Sequence, residues 1–232
     1  MPRPQSRPAA LDALDRAFAS EGPFPVTGCL YCYGEQDLAQ LSGSLGHISD
    51  DLVSSVAAKT PDHWDDFPRL YRRLVPRIIR PVVTGGFRID EELVASRLVQ
   101  AGWTTWDAPL TEALRDVWDA WWQTSLRTHP GPVSSRTVLA VVTVATGGLS
   151  SWLDTWTGVR TAAADARLAD LIDDVLFESE FTDLSMGFYG EYHATAELVD
   201  WLLTDVRDRV ADARPDAPYR LETFRTGARH AG

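Results

Sequence analysis

Residues 66–86 read DFPRLYRRLVPRIIRPVVTGG, and this stretch decides the fold class. At 100° per residue, Leu70, Tyr71, Leu74, Val75, Ile78, Ile79 and Val82 fall on one side of a helix. Arg69, Arg72, Arg73, Arg77 and Arg80 fall on the other. Asp66 is placed to cap this helix, Pro68 suits its first turn, and Gly85-Gly86 ends it. Pro76 and Pro81 each remove a backbone hydrogen bond, so a kink or interruption is expected at both.

The same periodicity extends in both directions. Further helices are expected at about 9–20, 35–42, 50–59, 90–101, 110–127, 135–146, 150–157, 161–181 and 191–213. No alternation of strand type runs over six or more residues. The expected fold is all-α, with about nine to ten helices packed as antiparallel neighbours in a bundle or a short solenoid-like stack. Residues 1–8 are expected to be disordered, 9–215 to form one helical domain, and 216–232 to be a loose tail. If the domain divides, His129-Pro-Gly-Pro132 is the expected break. Val82-Val-Thr-Gly-Gly-Phe87 echoes Val144-Ala-Thr-Gly-Gly-Leu149, as two helices with the same glycine cap would.

Composition narrows the function classes. The 232 residues carry 22 Lys+Arg against 33 Asp+Glu, a net charge of −11. Such a field repels phosphate, so neither nucleic acid nor an anionic membrane is an expected partner. Only Lys59 among the basic residues is lysine, which with the abundant alanine points to a GC-rich bacterial gene. No apolar run is long enough for a signal peptide core or a membrane span, and two cysteines are too few for a disulfide framework. A cytoplasmic protein is expected. The sequence contains no GxGxxG, GxxxxGK[ST], HExxH or GxSxG.

Four constellations remain. Cys29-Leu-Tyr-Cys32 places two thiols on one turn, which suits zinc if His47 and His63 complete the set. The same pair suits a redox dithiol, or two thiols that simply pack. Asp62, His63, Asp65 and Asp66 could hold a divalent ion for hydrolysis. They equally suit the start of a helix, with Trp64 and Phe67 anchoring it to the core. The arginine face (Arg69, Arg73, Arg77 and Arg80, with Arg72) could dock an acidic protein partner. It could instead pair within the chain, for example with Asp170, Asp173, Asp174 and Glu178. Nine tryptophans, three of them at 118, 121 and 122 on one helix face, read as core. Gly187-Phe-Tyr-Gly-Glu-Tyr-His193 reads as a hinge before the last helix.

The order Cys29/Cys32, Asp66-Phe67, Pro76-Arg77-Ile78-Ile79, a helix closed by Gly102-Trp103, and Trp121-Trp122 resembles a group of bacterial all-helical proteins. The likeness covers residues 28–122. It implies a helical fold and no particular activity. The function expected first is a non-enzymatic protein-interaction module whose CxxC loop holds structural zinc. A metal-dependent hydrolase and a thiol redox sensor are the alternatives.

Overall fold

The computed structural model describes residues 6–86, 88–178 and 183–230. The chain is all-α, with twelve α-helices and one two-stranded hairpin among these residues. It divides into two compact units, Met1–Ala120 and Trp121–Gly232. The division lies inside a helix, not at residues 129–132.

The first unit holds α1 (Arg7–Ala17), α2 (Glu35–Ser42), α3 (Asp50–Ala58), α4 (Phe67–Thr84), α5 (Glu91–Gln100) and the greater part of α6 (Ala108–Arg127). Short side chains set most of the starts. The hydroxyl of Ser6 accepts from the Ala9 amide, so the chain is already ordered there, and Ser49 accepts from Leu52 at 3.2 Å. Asp66 caps α4 through the Arg69 amide, and Asp90 caps α5 through Glu92 and Leu93. Of the residues expected to be disordered, 1–5 lie outside the described residues.

The central element of this unit is α4, which packs on α1, α3 and α5. It runs through Pro76 and Pro81 as one helix, so neither proline interrupts it. Each interior proline costs about 3 kcal/mol. Leu70, Leu74, Val75, Ile78, Ile79, Val82 and Val83 are all buried, and at about 1.5–3 kcal/mol each they outweigh both prolines. Gly85 closes α4 at φ +76° and Gly147 closes a helix of the second unit at φ +73°, so the repeated Thr-Gly-Gly is a shared left-handed cap.

The second unit begins within α6 and continues with α7 (Ser135–Thr146), α8 (Ser150–Gly158) and α9 (Ala162–Glu178). The hairpin β1 (Ser185–Met186) and β2 (Tyr192–His193) follows, then α10 (Thr195–Thr204), α11 (Arg207–Ala213) and α12 (Ala217–His230). The last residues of the helix expected over 161–181 lie partly outside the described residues. The long helix expected at 191–213 is three elements instead. Asp183 accepts from the Thr195 hydroxyl at 2.6 Å and pairs with His193 at 2.7 Å, holding that segment in the hairpin. Further on, buried Val206 leaves helical geometry, and α11 starts after it, with Arg209 bonded to Asp165 and to the Trp156 carbonyl. The expected loose tail is α12, which packs on α9, α10 and α11 with Ala217 and Leu221 fully buried. The stripe Leu168, Leu171, Ile172 and Val175 of α9 is buried as its spacing requires.

Candidate functional site

The Cys29–Cys32 turn stands on the segment just before α4. Gly28 and Trp64 form an antiparallel bridge, the Cys29 amide donates to the His63 carbonyl at 2.8 Å, and the Asp65 amide donates to Thr27 at 3.2 Å. This contact admits only glycine. A Cβ on Gly28 would lie 2.5 Å from the His63 carbonyl oxygen and 2.9 Å from the Trp64 ring. Trp64 is buried and packs at 4.3 Å between centroids on Tyr33, whose hydroxyl meets Ser55 at 3.0 Å. Gly28→Ala is expected to push the turn off its support and to cost about 1–3 kcal/mol. Urea unfolding of the variant measures this, and an unchanged midpoint would show that the turn is not anchored there.

Above this support the chain closes tightly. The amides of Cys32 and Tyr33 both donate to the Cys29 carbonyl, at 3.1 and 3.0 Å. Cys29 is partly exposed and Cys32 exposed. Between them Leu30 is 71% and Tyr31 97% exposed, so two large apolar side chains stand in solvent beside the sulfurs. The Cys29 thiol is drawn below its ordinary pKa, chiefly because its sulfur receives the backbone N–H groups of Cys32 and Tyr31. Partial burial opposes this, while the neighbouring Cys32 thiol and the Lys59 ammonium add to it. The Lys59 Nζ lies 3.8 Å from the Cys32 sulfur.

The histidines do not join the thiols. His63 meets Cys29 through its backbone carbonyl; its imidazole Nδ1 faces the Thr60 hydroxyl at 3.0 Å and Asp62 at 3.2 Å. His47 is exposed at the end of a short 3₁₀ turn. Among the described residues, no three or more His, Cys, Asp or Glu side chains come together as a metal ion would need. The set Cys29, Cys32, His47 and His63 is thus not assembled into a zinc site, nor are Asp62, His63, Asp65 and Asp66 assembled into a hydrolase centre. Asp66 is a helix cap, and the Asp62 carboxyl is held low by the Thr60 hydroxyl and then by His63.

Of the arginine face only Arg73 is buried; Arg72, Arg77 and Arg80 are part-exposed and Arg69 is exposed. Arg73 is 1% exposed and donates to the carbonyls of Leu41, at 2.5 Å, and of Gly43. Arg77 donates to the carbonyls of Leu45 and Ile48 and pairs with Asp50. Arg80 pairs with Asp15, Arg72 pairs with Glu21 at 3.1 Å, and Arg69 lies over the Phe24 ring at 4.2 Å. Two of the acidic residues suggested as internal partners serve others: Asp170 meets His129 and Asp173 meets Arg214. The expected docking face is in this respect an internal clamp. A groove of about 910 Å³ beside it is lined by the paired Asp15, Asp50, Arg77 and Arg80, with Arg88 at its rim.

Lys59 is the residue that sequence reasoning missed. Its solitude in an arginine-rich chain was visible, but nothing in the spacing placed it beside a thiol 27 residues earlier. Among the described residues, no helix is long and apolar enough to cross a membrane. In comparisons with known proteins, no family model, no curated protein and no solved structure matches the chain.

Proposed function

We propose that this chain is a cytoplasmic, non-enzymatic interaction module whose state is set by its dithiol. The observation that carries the reading is the pairing of two accessible thiols on one hydrogen-bonded turn, with the Lys59 ammonium 3.8 Å from the Cys32 sulfur. A turn closed by a bond between its first and fourth residues keeps their Cα atoms within about 7 Å, inside the range that a disulfide spans. Leu30 and Tyr31 project from the same turn, so a change in its covalent state changes the apolar surface offered to a partner.

The chemistry is thiol–disulfide exchange with a small disulfide such as oxidised glutathione. The Cys29 thiolate attacks one sulfur, the S–S bond breaks, and one glutathione leaves as thiolate. Cys32, after losing its proton, attacks the Cys29 sulfur and releases the second glutathione. Two electrons pass from the cysteine pair to the glutathione disulfide, and two protons end on the two glutathione thiols.

The test is thiol counting and mass spectrometry on reduced protein treated with oxidised glutathione. Wild type is expected to lose both thiols and two hydrogens, without retaining glutathione. Cys32→Ser is expected to trap glutathione on Cys29. The rate of that capture is expected to rise with pH at a lower midpoint than in an unstructured cysteine peptide, because the lowered pKa makes thiolate available earlier. If Cys32→Ser captures no glutathione faster than an unstructured cysteine peptide, the proposal fails.

A further inference from the structure

We infer that the Cys29–Cys32 turn is a two-coordinate site for a soft monovalent cation, of which copper(I) is the biological example. The inference rests on the pair being accessible and reduced, as in the reading above, but not on its oxidation.

The turn carries thiols on its first and fourth residues, which its Cys32 N–H to Cys29 carbonyl bond of 3.1 Å holds within about 7 Å between Cα atoms, and both thiols reach solvent. No third His, Cys, Asp or Glu among the described residues joins them in a metal-binding group. Zinc needs four ligands in a structural site and three protein ligands in a catalytic one, so one such pair leaves it unsatisfied. Calcium and magnesium take oxygen. Copper(I) is soft, prefers thiolate, and is satisfied by two ligands in a line.

Charge gives a second and independent argument. Two thiolates around copper(I) carry a net charge of −1. The one lysine of the chain holds its ammonium 3.8 Å from the Cys32 sulfur, where it balances that charge. Zinc between two thiolates would be neutral and would gain nothing from this lysine. Binding replaces the S–H bonds by S–Cu bonds and releases the thiol protons, with no change in the oxidation state of copper or sulfur. Because the turn is open to solvent, the bound ion stays within reach of a third thiolate. Exchange onto another thiolate pair is the class of reaction this arrangement suits.

The experiment adds copper(I) under anaerobic reducing conditions to the full chain, in competition with bicinchoninate. One copper(I) per chain is expected to leave the chelator, with a thiolate-to-metal band in the ultraviolet and a monomeric elution volume for the complex. Cys29→Ser and Cys32→Ser are each expected to abolish it, with far-ultraviolet circular dichroism unchanged. Lys59→Met should weaken affinity about tenfold and Lys59→Arg should restore it, since the position supplies a charge. Three results would overturn the inference: no copper taken up by protein whose thiols still exchange with glutathione, one ion shared by two chains, or full affinity in Lys59→Met. The first leaves the dithiol reading standing. Loss of both uptake and exchange removes the two together.

Discussion

Arg73→Met is expected to destabilise the chain by about 3–5 kcal/mol, read as a lowered urea midpoint. Arg73 looks expendable in sequence, one of five arginines on one helix face. In the fold it is nearly inaccessible and donates to Leu41 and Gly43 at the end of α2. The last carbonyls of a helix have no partner within it, and a guanidinium there also meets the negative end of the helix dipole. Hydrogen bonds to a charged group contribute about 1.5–3 kcal/mol each, and methionine removes the donor while leaving both carbonyls behind. That asymmetry decides the sign. Replacing a buried ion pair by apolar residues is often harmless because both partners go, but here the acceptors are backbone and stay. Arg73→Lys should recover only part of the loss, since a point charge cannot reach two carbonyls as a planar fork does. Arg69→Met should cost about 0.5–1 kcal/mol, the range of an exposed cation–π contact. If Arg73→Met cost no more than Arg69→Met, the clamp would be a crowding effect and not a set of bonds.

Trp156→Ala is expected to cost about 3–5 kcal/mol in the second unit. Its ring is fully buried, edge-on to Trp122 at 5.3 Å and tilted against Trp201 at 5.5 Å, and its indole N–H donates to Ala164 at 3.2 Å. The two neighbouring indoles are themselves tied down, Trp122 to the Trp152 carbonyl and Trp201 to the Thr157 hydroxyl. Neither can swing into the vacated volume without breaking a bond, so the cavity stays open and the cost falls at the upper end of the range. Trp156→Phe keeps part of the ring contact and loses the N–H, for about 1–3 kcal/mol. A Trp156→Ala loss below that of the phenylalanine variant would mean that the cluster repacks.

The fold class was legible because its signals are local. Glu35–Ser42 and Ser135–Thr146 lie where caps and periodicity put them. Local reading failed where tertiary packing decides. Nothing at Asp205-Val206 is a breaker by residue type, yet α11 starts anew after them, with Arg209 bonded to Asp165 and to the Trp156 carbonyl. Residues 217–230 have a sparse apolar face, and they are helical because Ala217 and Leu221 find covered positions. The arginine face was visible as a face. Its partners were not, because half of them are carbonyls about 30 residues away, and every residue type carries a carbonyl. The thiol pair could be read from its spacing, whereas the amine beside it could not.

That amine has a practical consequence. A chain with one ε-amine presents reagents that acylate lysine with a single side-chain target, and here that target lies 3.8 Å from the Cys32 sulfur. Sulfur and nitrogen reagents can therefore be addressed to the same few ångströms of surface independently of each other. A short linker with one thiol-reactive and one amine-reactive end would staple Cys32 to Lys59 across 27 residues of sequence, leaving Cys29 as the one free thiol.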